Sequence, residues 1–129
     1  MIVDSSAVVA IILREPGHNG LLEQLGAASG AGIGTPTLAE TGIVLAARLG
    51  PSGRSLLARF LEEAALVEVP FGEHHWRAAV GAYTRFGKGR HPAALNFGDC
   101  MTYATAELAG EPLLCVGGDF ARTDLPLVR

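Results

Sequence analysis

The sequence predicts an α/β fold: one domain over residues 1–129, a short central parallel sheet with helices on both faces. Three observations predict it. Short apolar runs alternate with longer stretches of helical periodicity, the order that builds parallel sheets. The chain has 129 residues, the size of one domain, and 49% of them are hydrophobic. A domain of this length buries roughly two-thirds of its unfolded surface, so it needs no disulfide or structural metal to fold.

The elements follow in order along the chain. Ile2-Val3 reads as a very short buried strand. Ser5 or Ser6 caps a helix through Ala7 to Leu13, and Pro16-Gly17 breaks it. In His18 to Ala28, Leu21, Leu22 and Leu25 mark a helical face. Gly30 to Gly34 fits a second strand. Thr35-Pro36 places Thr at the cap and Pro at the first helical position. That helix runs to Leu49 and stops at Gly50-Pro51. Ser52 to Ala64 is a further helix, and Leu66 to Pro70 an alternating strand. Glu73 to Phe86 is amphipathic, with Trp76, Val80 and Tyr83 on one side. Gly87 to Pro92 is a glycine-rich basic loop, Phe97 to Ala109 a helix, Leu113 to Val116 a strand and Leu127-Val128 a short last one.

Composition excludes several classes. The chain is too apolar to be disordered, since disorder needs low hydrophobicity and high net charge. The longest uncharged stretch, Gln24 to Ala39, has 16 residues interrupted by Gly and Pro, short of the roughly 20 apolar residues a membrane span needs. Asp4 stands where a secretory signal carries basic residues, and Arg14-Glu15 follows Ala7 to Leu13 in place of a cleavage site. Cys100 and Cys115 are too few for a disulfide framework or a zinc site, and read as reduced thiols of a cytoplasmic protein. The apolar fraction also suggests that a partner covers part of the surface.

Four of the 13 acidic residues stand in apolar sequence. Asp4 follows the first strand. Glu40 is the only charge between Gln24 and Ala47, and it shares a helical face with Ile43, Val44 and Ala47, which is expected to be buried. Asp99 opens a nearly all-apolar helix. Asp119 follows Leu113 to Val116 and Gly117-Gly118. Each alone has a structural reading: Asp99 at a helix N-terminus, Asp4 as a strand-end cap and Asp119 in a turn. Glu40 is hardest to explain that way. Parallel sheets place their sites beyond the carboxyl ends of the strands. Gathered there, the four would repel one another, and a divalent cation relieves the repulsion. All-oxygen ligands suit Mg²⁺ or Mn²⁺, and such a centre supports phosphoryl chemistry.

The blocks IVDSSAVVAIIL, TPTLAETGIVLAARL, LNFGDCMTYATA and LLCVGGDFARTDL, in this order, resemble those of PIN-domain ribonucleases, in particular the VapC toxins of bacterial type II toxin–antitoxin pairs. The similarity runs from Ile2 to Leu125. It implies a PIN-like domain and a Mg²⁺-dependent endoribonuclease, with Mn²⁺ as a possible substitute. Asp4 and Asp99 resemble the direct metal ligands, Glu40 an acid in or near the metal shell, and Asp119 one bound through water. Ser6 resembles the hydroxyl residue that orients the first Asp; Asn96 and Thr123 match supporting polar positions. Gly118 departs from the pattern, standing where many members carry Asp or Asn. A metal-held water would attack the phosphodiester in line, leaving a 5′ phosphate on the product. The resemblance also implies a homodimer held inactive by a small VapB-like antitoxin, and allows a larger toxin–antitoxin assembly. The antitoxin's C-terminal segment would lie in an apolar groove, for which the helices over Ala7 to Leu13 and Leu56 to Leu61 are candidates.

The formal net charge of −3 is unusual for an RNA binder. Taking the four acids away from it leaves +1. Arg85, Lys88 and Arg90, with His91 beside them, form a basic cluster expected to meet RNA phosphates, although a solvated loop would look the same. His18, His74, His75 and His91 are poorly spaced for a metal set and read as surface residues. The competing reading is a catalytically weak PIN-fold regulatory or binding module acting with an antitoxin. A phospho-accepting receiver domain needs an acidic pair after the first strand, where Ser5 stands beside Asp4, and neither cysteine opens a phosphate loop.

Overall fold

The computed structural model covers residues 1–129. Four strands, β1 (Ile2–Val3), β2 (Ala31–Gly34), β3 (Leu66–Val69) and β4 (Leu113–Leu114), pair in parallel in the order β3-β2-β1-β4. Between them run α1 (Ser5–Ile12), α2 (His18–Ala27), α3 (Thr35–Leu49), α4 (Pro51–Glu63), α5 (Glu73–Phe86) and α6 (Phe97–Ala109), and a 3₁₀ turn, Phe120–Arg122, follows β4. Leu127 adds a single parallel bridge to Leu113, so the expected last strand is one residue pair long.

Successive side chains of a strand point to opposite faces, and the two-residue strands use both. Ile2 and Leu113 join the core under α5 and α6, with Phe86, Leu95, Tyr103 and Phe120. Val3 and Leu114 join a second core with Val8, Leu21, Leu45 and Leu57 from α1 to α4. Helices therefore cover both faces. The chain winds outward from β1 to β3 and then returns to place β4 on the other side of β1. The reversal beside β1 is the switch point at which doubly wound sheets build their sites.

Local details differ from expectation for identifiable reasons. Asp4, not Ser5 or Ser6, caps α1, because its carboxylate accepts the Ser6 backbone N–H at 3.1 Å. The N-cap of α3 is Gly34, so Thr35 and Pro36 move one position into the helix. Gly34 lies against Thr105 of α6, where a Cβ would crowd the Thr105 hydroxyl. The apolar face shared by Glu40 is not buried. Ile43 is 70% exposed and Ala47 is exposed, because the inward stripe of α3 is Thr37, Thr41 and Leu45. Likewise the Trp76, Val80 and Tyr83 side of α5 faces outward, while Ala79, Ala82 and Phe86 pack inside.

Candidate active site

Asp4 stands at the carboxyl end of β1 and is only 5% exposed. A buried carboxylate is costly unless it is hydrogen-bonded or bound to a cation. Its Oδ2 accepts from Ser6 Oγ at 2.7 Å as well as from the Ser6 N–H, and its Oδ1 accepts from Thr102 Oγ1 at 2.7 Å. Ser6 Oγ in turn accepts the Val116 N–H at 2.9 Å. One hydroxyl thus joins the ends of β1 and β4 across the switch point.

Asp99 is the third residue of α6 and forms a reciprocal cap with Asn96. The Asp99 N–H donates to Asn96 Oδ1 at 2.9 Å, and the Asn96 N–H donates to Asp99 Oδ2 at 3.0 Å. Asp99 Oδ1 is left outside this cap. Glu40 projects from α3 and accepts from Ser5 Oγ at 3.0 Å. Its carboxylate lies on Gly98, where a Cβ would overlap it. Asp119 opens the 3₁₀ turn with its side chain exposed and no capping bond; it is not in the apolar surroundings that its sequence neighbours suggest.

These acids feel one another. Burial pushes the Asp99 carboxyl up from its ordinary 3.8 to about 6. The Asn96 N–H opposes that rise, and the charges of Asp4, Asp119 and Glu40 add to it. Cys115, at the end of β4, is pushed to about 11 by burial and then by Asp4, Asp119 and Asp99. Acids that lie far apart in sequence are thus near enough to Asp99 for their charges to act on it. None has a basic partner: the ion pairs are Met1–Glu111, Arg59–Glu63, Arg77–Glu73 and Arg85–Asp124. No three His, Cys, Asp or Glu side chains stand in an arrangement that cages an ion. Mg²⁺ is commonly held by one or two carboxylates, with waters and substrate phosphate completing the shell. An all-oxygen set of unpaired, mutually repelling carboxylates fits such an ion.

The remaining predicted residues fall in different places. Ser6 and Asn96 touch Asp4 and Asp99 as described. Thr123 does not reach a carboxylate; its hydroxyl donates to Phe120 O at 2.7 Å and closes the 3₁₀ turn. Arg85 is occupied, donating to Asp124 at 2.8 Å and to the Tyr103 hydroxyl at 3.3 Å. Lys88 is exposed, and the Arg90 guanidinium lies 5.4 Å from the centre of the Tyr83 ring. Cys100 and Cys115 are free thiols. Sequence reasoning passed over Ser5, Thr37, Thr102 and Gly98. A signal existed for two of them. Thr37 lies three residues before Glu40 and Thr102 three after Asp99, positions that share a helix face with those acids.

A family model described as PIN domain matches residues 1–125. Ribonuclease VapC36 of Mycobacterium tuberculosis is 51% identical over 126 residues, covering 97% of this chain and 91% of that protein. Ribonuclease VapC of Mycolicibacterium smegmatis is 42% identical over 132 residues, covering 100% of each. Among solved structures, M. tuberculosis VapC20, described as a sarcin-ricin loop cleaving toxin, superposes with a TM-score of 0.81 at 18% identity, covering 99% of this chain and 98% of that one. VapBC2 from Rickettsia felis, solved bound to a promoter DNA fragment, gives 0.78 at 17% identity, covering 99% and 96%. At these identities the structural matches speak for the fold alone.

Proposed function

Because this chain belongs to the PIN-domain family, and within it to the VapC ribonucleases, we propose that it is the toxin of a type II toxin–antitoxin pair, a Mg²⁺-dependent endoribonuclease. The observation that carries this reading is the approach of Asp4 and Glu40 to the helix of Asp99, Asp4 through Thr102 and Glu40 against Gly98, with no Lys or Arg paired to any of the four acids.

Asp4 and Asp99 would hold the ion, with Glu40 and Asp119 beside them. A divalent cation there would supply positive charge to the phosphate and an activated water for hydrolysis. The chain's own residues prepare the place. Ser6 and Thr102 hold both oxygens of Asp4, Asn96 holds one oxygen of Asp99, and Ser5 holds Glu40. The acids thereby keep their orientation when no cation is present.

Lys88 and Arg90, ahead of α6, serve as phosphate contacts for RNA; Arg85 is engaged with Asp124. The antitoxin seat is the groove of about 710 Å³ between α1, α2 and α4, lined by Ile11, Ile12, Leu22, Leu56 and Phe60 with Arg14 and Glu63 among its polar residues. A homodimer would cover the apolar pocket of about 550 Å³ formed by Trp76, Val80, Tyr83, Phe97 and Met101, where Phe97 is 69% exposed. No helix is long and apolar enough to cross a membrane, and the free thiols fit the reducing cytoplasm.

The test is RNA cleavage by the purified chain with and without Mg²⁺, beside Asp4→Asn and Asp99→Asn. Cleavage that requires Mg²⁺ and is lost in both variants, with a Mg²⁺-induced rise in melting temperature lost alongside, is the expected result. The second reading, a catalytically weak module acting with its antitoxin, is favoured by the lack of a three-ligand cage. Metal-independent melting and no cleavage would establish it instead.

A further inference from the structure

Thr37 and Thr102 are buried polar residues that the local caps do not explain. Thr37 stands on α3 one turn before Glu40, and Thr102 on α6 one turn after Asp99. Their hydroxyl oxygens are 2.9 Å apart. Thr102 Oγ1 also lies 2.7 Å from Asp4 Oδ1. An ionised carboxylate only accepts, so Thr102 spends its single proton on Asp4. The contact with Thr37 must then run the other way, with Thr37 donating. The direction of the chain is fixed: Thr37 to Thr102 to Asp4. On the same face of α3 the Thr41 hydroxyl donates to the backbone carbonyl of Thr37 at 2.7 Å.

We propose that this buried hydroxyl relay is the positioning device of the carboxylate centre, setting the orientation of Asp4 and tying together the helices that carry Glu40 and Asp99. Asp4 Oδ2 has two donors from Ser6, but Oδ1 has Thr102 alone. Without that hydroxyl the carboxylate keeps one fixed oxygen and can turn about it. The Thr37–Thr102 contact bridges α3 and α6 one turn below the acids that the two helices present. Partners of metal ligands of this kind typically contribute about 10- to 100-fold in metal affinity.

The inference rests on the reading of the site as a cation-holding centre, and its test separates the two. Mn²⁺ binding to the full chain is measured by electron paramagnetic resonance, on wild type, Asp4→Asn, Thr102→Val, Thr102→Ser and Thr37→Val, each first confirmed as folded by its melting transition. Wild type is expected to bind and Asp4→Asn to fail. Thr102→Val should lose about tenfold or more in affinity, Thr102→Ser should recover most of it, and Thr37→Val should lose less than Thr102→Val. A role in packing alone would lower the melting temperature of Thr102→Val and leave Mn²⁺ affinity unchanged, which overturns the relay. Failure of Thr102→Ser to recover binding does the same. If Thr102→Val does not fold, Thr37→Val with undiminished Mn²⁺ affinity overturns it. Wild type that binds no Mn²⁺, or Asp4→Asn that binds as wild type does, overturns the metal reading and the relay with it.

Discussion

Gly98 and Glu40 meet so closely that a Cβ at position 98 would occupy the place of the Glu40 carboxylate. The glycine lies in the first turn of α6, next to Asp99, and its missing side chain is what lets an acid from α3 approach that turn. Gly98→Ala should therefore separate stability from activity. The helix gains up to about 1 kcal/mol from Ala over Gly, and the displaced atoms are the end of a flexible side chain, so the melting temperature should change little. Glu40 would swing away from Ser5 and the other acids, and Mg²⁺-dependent cleavage should fall by about tenfold or more. A well-folded Gly98→Ala chain with wild-type cleavage would remove Glu40's placement from the account.

Asp99 gives a pH signature. In the metal-free protein its carboxyl titrates near 6 instead of 3.8, through burial first and then the fields of Asp4, Asp119 and Glu40. A raised acid keeps its proton longer in the native state than in the unfolded one. The metal-free fold should therefore lose stability as pH rises from about 4 to 6 and level off above. A cation must displace that proton, so Mg²⁺ should bind up to about tenfold more weakly for each unit below pH 6. Carboxyl ¹³C NMR of Asp99 with and without Mg²⁺ checks both statements. A midpoint near 3.8 in the metal-free chain would contradict them.

Much of this was legible in the sequence, for reasons that differ by residue. Asp4 and Asp99 follow from local signals, a strand end and a helix start, and the carboxylate of each takes part in the cap of its helix. Glu40 stands out in the sequence as an odd charge, but the burial expected of its face does not hold. Its apolar neighbours Ile43 and Ala47 face solvent, because α3 turns the Thr37, Thr41 and Leu45 stripe inward. Apolar composition marks a face that a neighbour could cover, and does not show that one does. Ser6, two residues from Asp4, is legible in the sequence, whereas Ser5, Thr37 and Thr102 are ordinary residues whose partners lie on other elements. Thr102 meets Asp4 across 98 positions, a contact set by the return of β4 to the side of β1. The basic cluster read from spacing likewise splits once Arg85 meets Asp124 in the fold.

That split makes a prediction about RNA. Single-stranded binding loses about 0.7 of logarithmic salt slope for each phosphate contact removed. Lys88→Ala with Arg90→Ala should flatten the slope by roughly one contact or more and weaken binding across RNA sequences. Arg85→Ala should leave the slope nearly unchanged and lower stability instead, since its charge is already taken by Asp124. Equilibrium binding of a single-stranded RNA to a cleavage-deficient Asp99→Asn chain at several salt concentrations decides it. An equal effect from Arg85→Ala would return that residue to the RNA face.

The same ion pair belongs to a clamp on the segment after Asp119. The buried Tyr103 hydroxyl donates to Asp124 Oδ1 at 2.5 Å, while Arg85 donates to Asp124 Oδ2 at 2.8 Å. Tyr103 lies one turn beyond Asp99 on α6, so the helix that presents one acid also tethers the stretch that follows another. The Tyr103 bond is the main cause holding the Asp124 carboxyl below its ordinary range. A lowered acid contributes stability that is present above its unfolded-state pKa and is lost as pH falls through the folded one. Tyr103→Phe keeps the buried ring and removes only the donor. At neutral pH it should cost about 1 kcal/mol, the net worth of one partly exposed hydrogen bond, or roughly 4 °C in melting temperature. Once acid has protonated Asp124, the difference from wild type should shrink toward zero. Thermal melts of both chains from pH 7 downward, carried to a pH at which carboxyl ¹³C NMR shows Asp124 protonated, provide the comparison, and a deficit that persists unchanged once Asp124 is protonated would show that the carboxylate of Asp124 is not what Tyr103 holds.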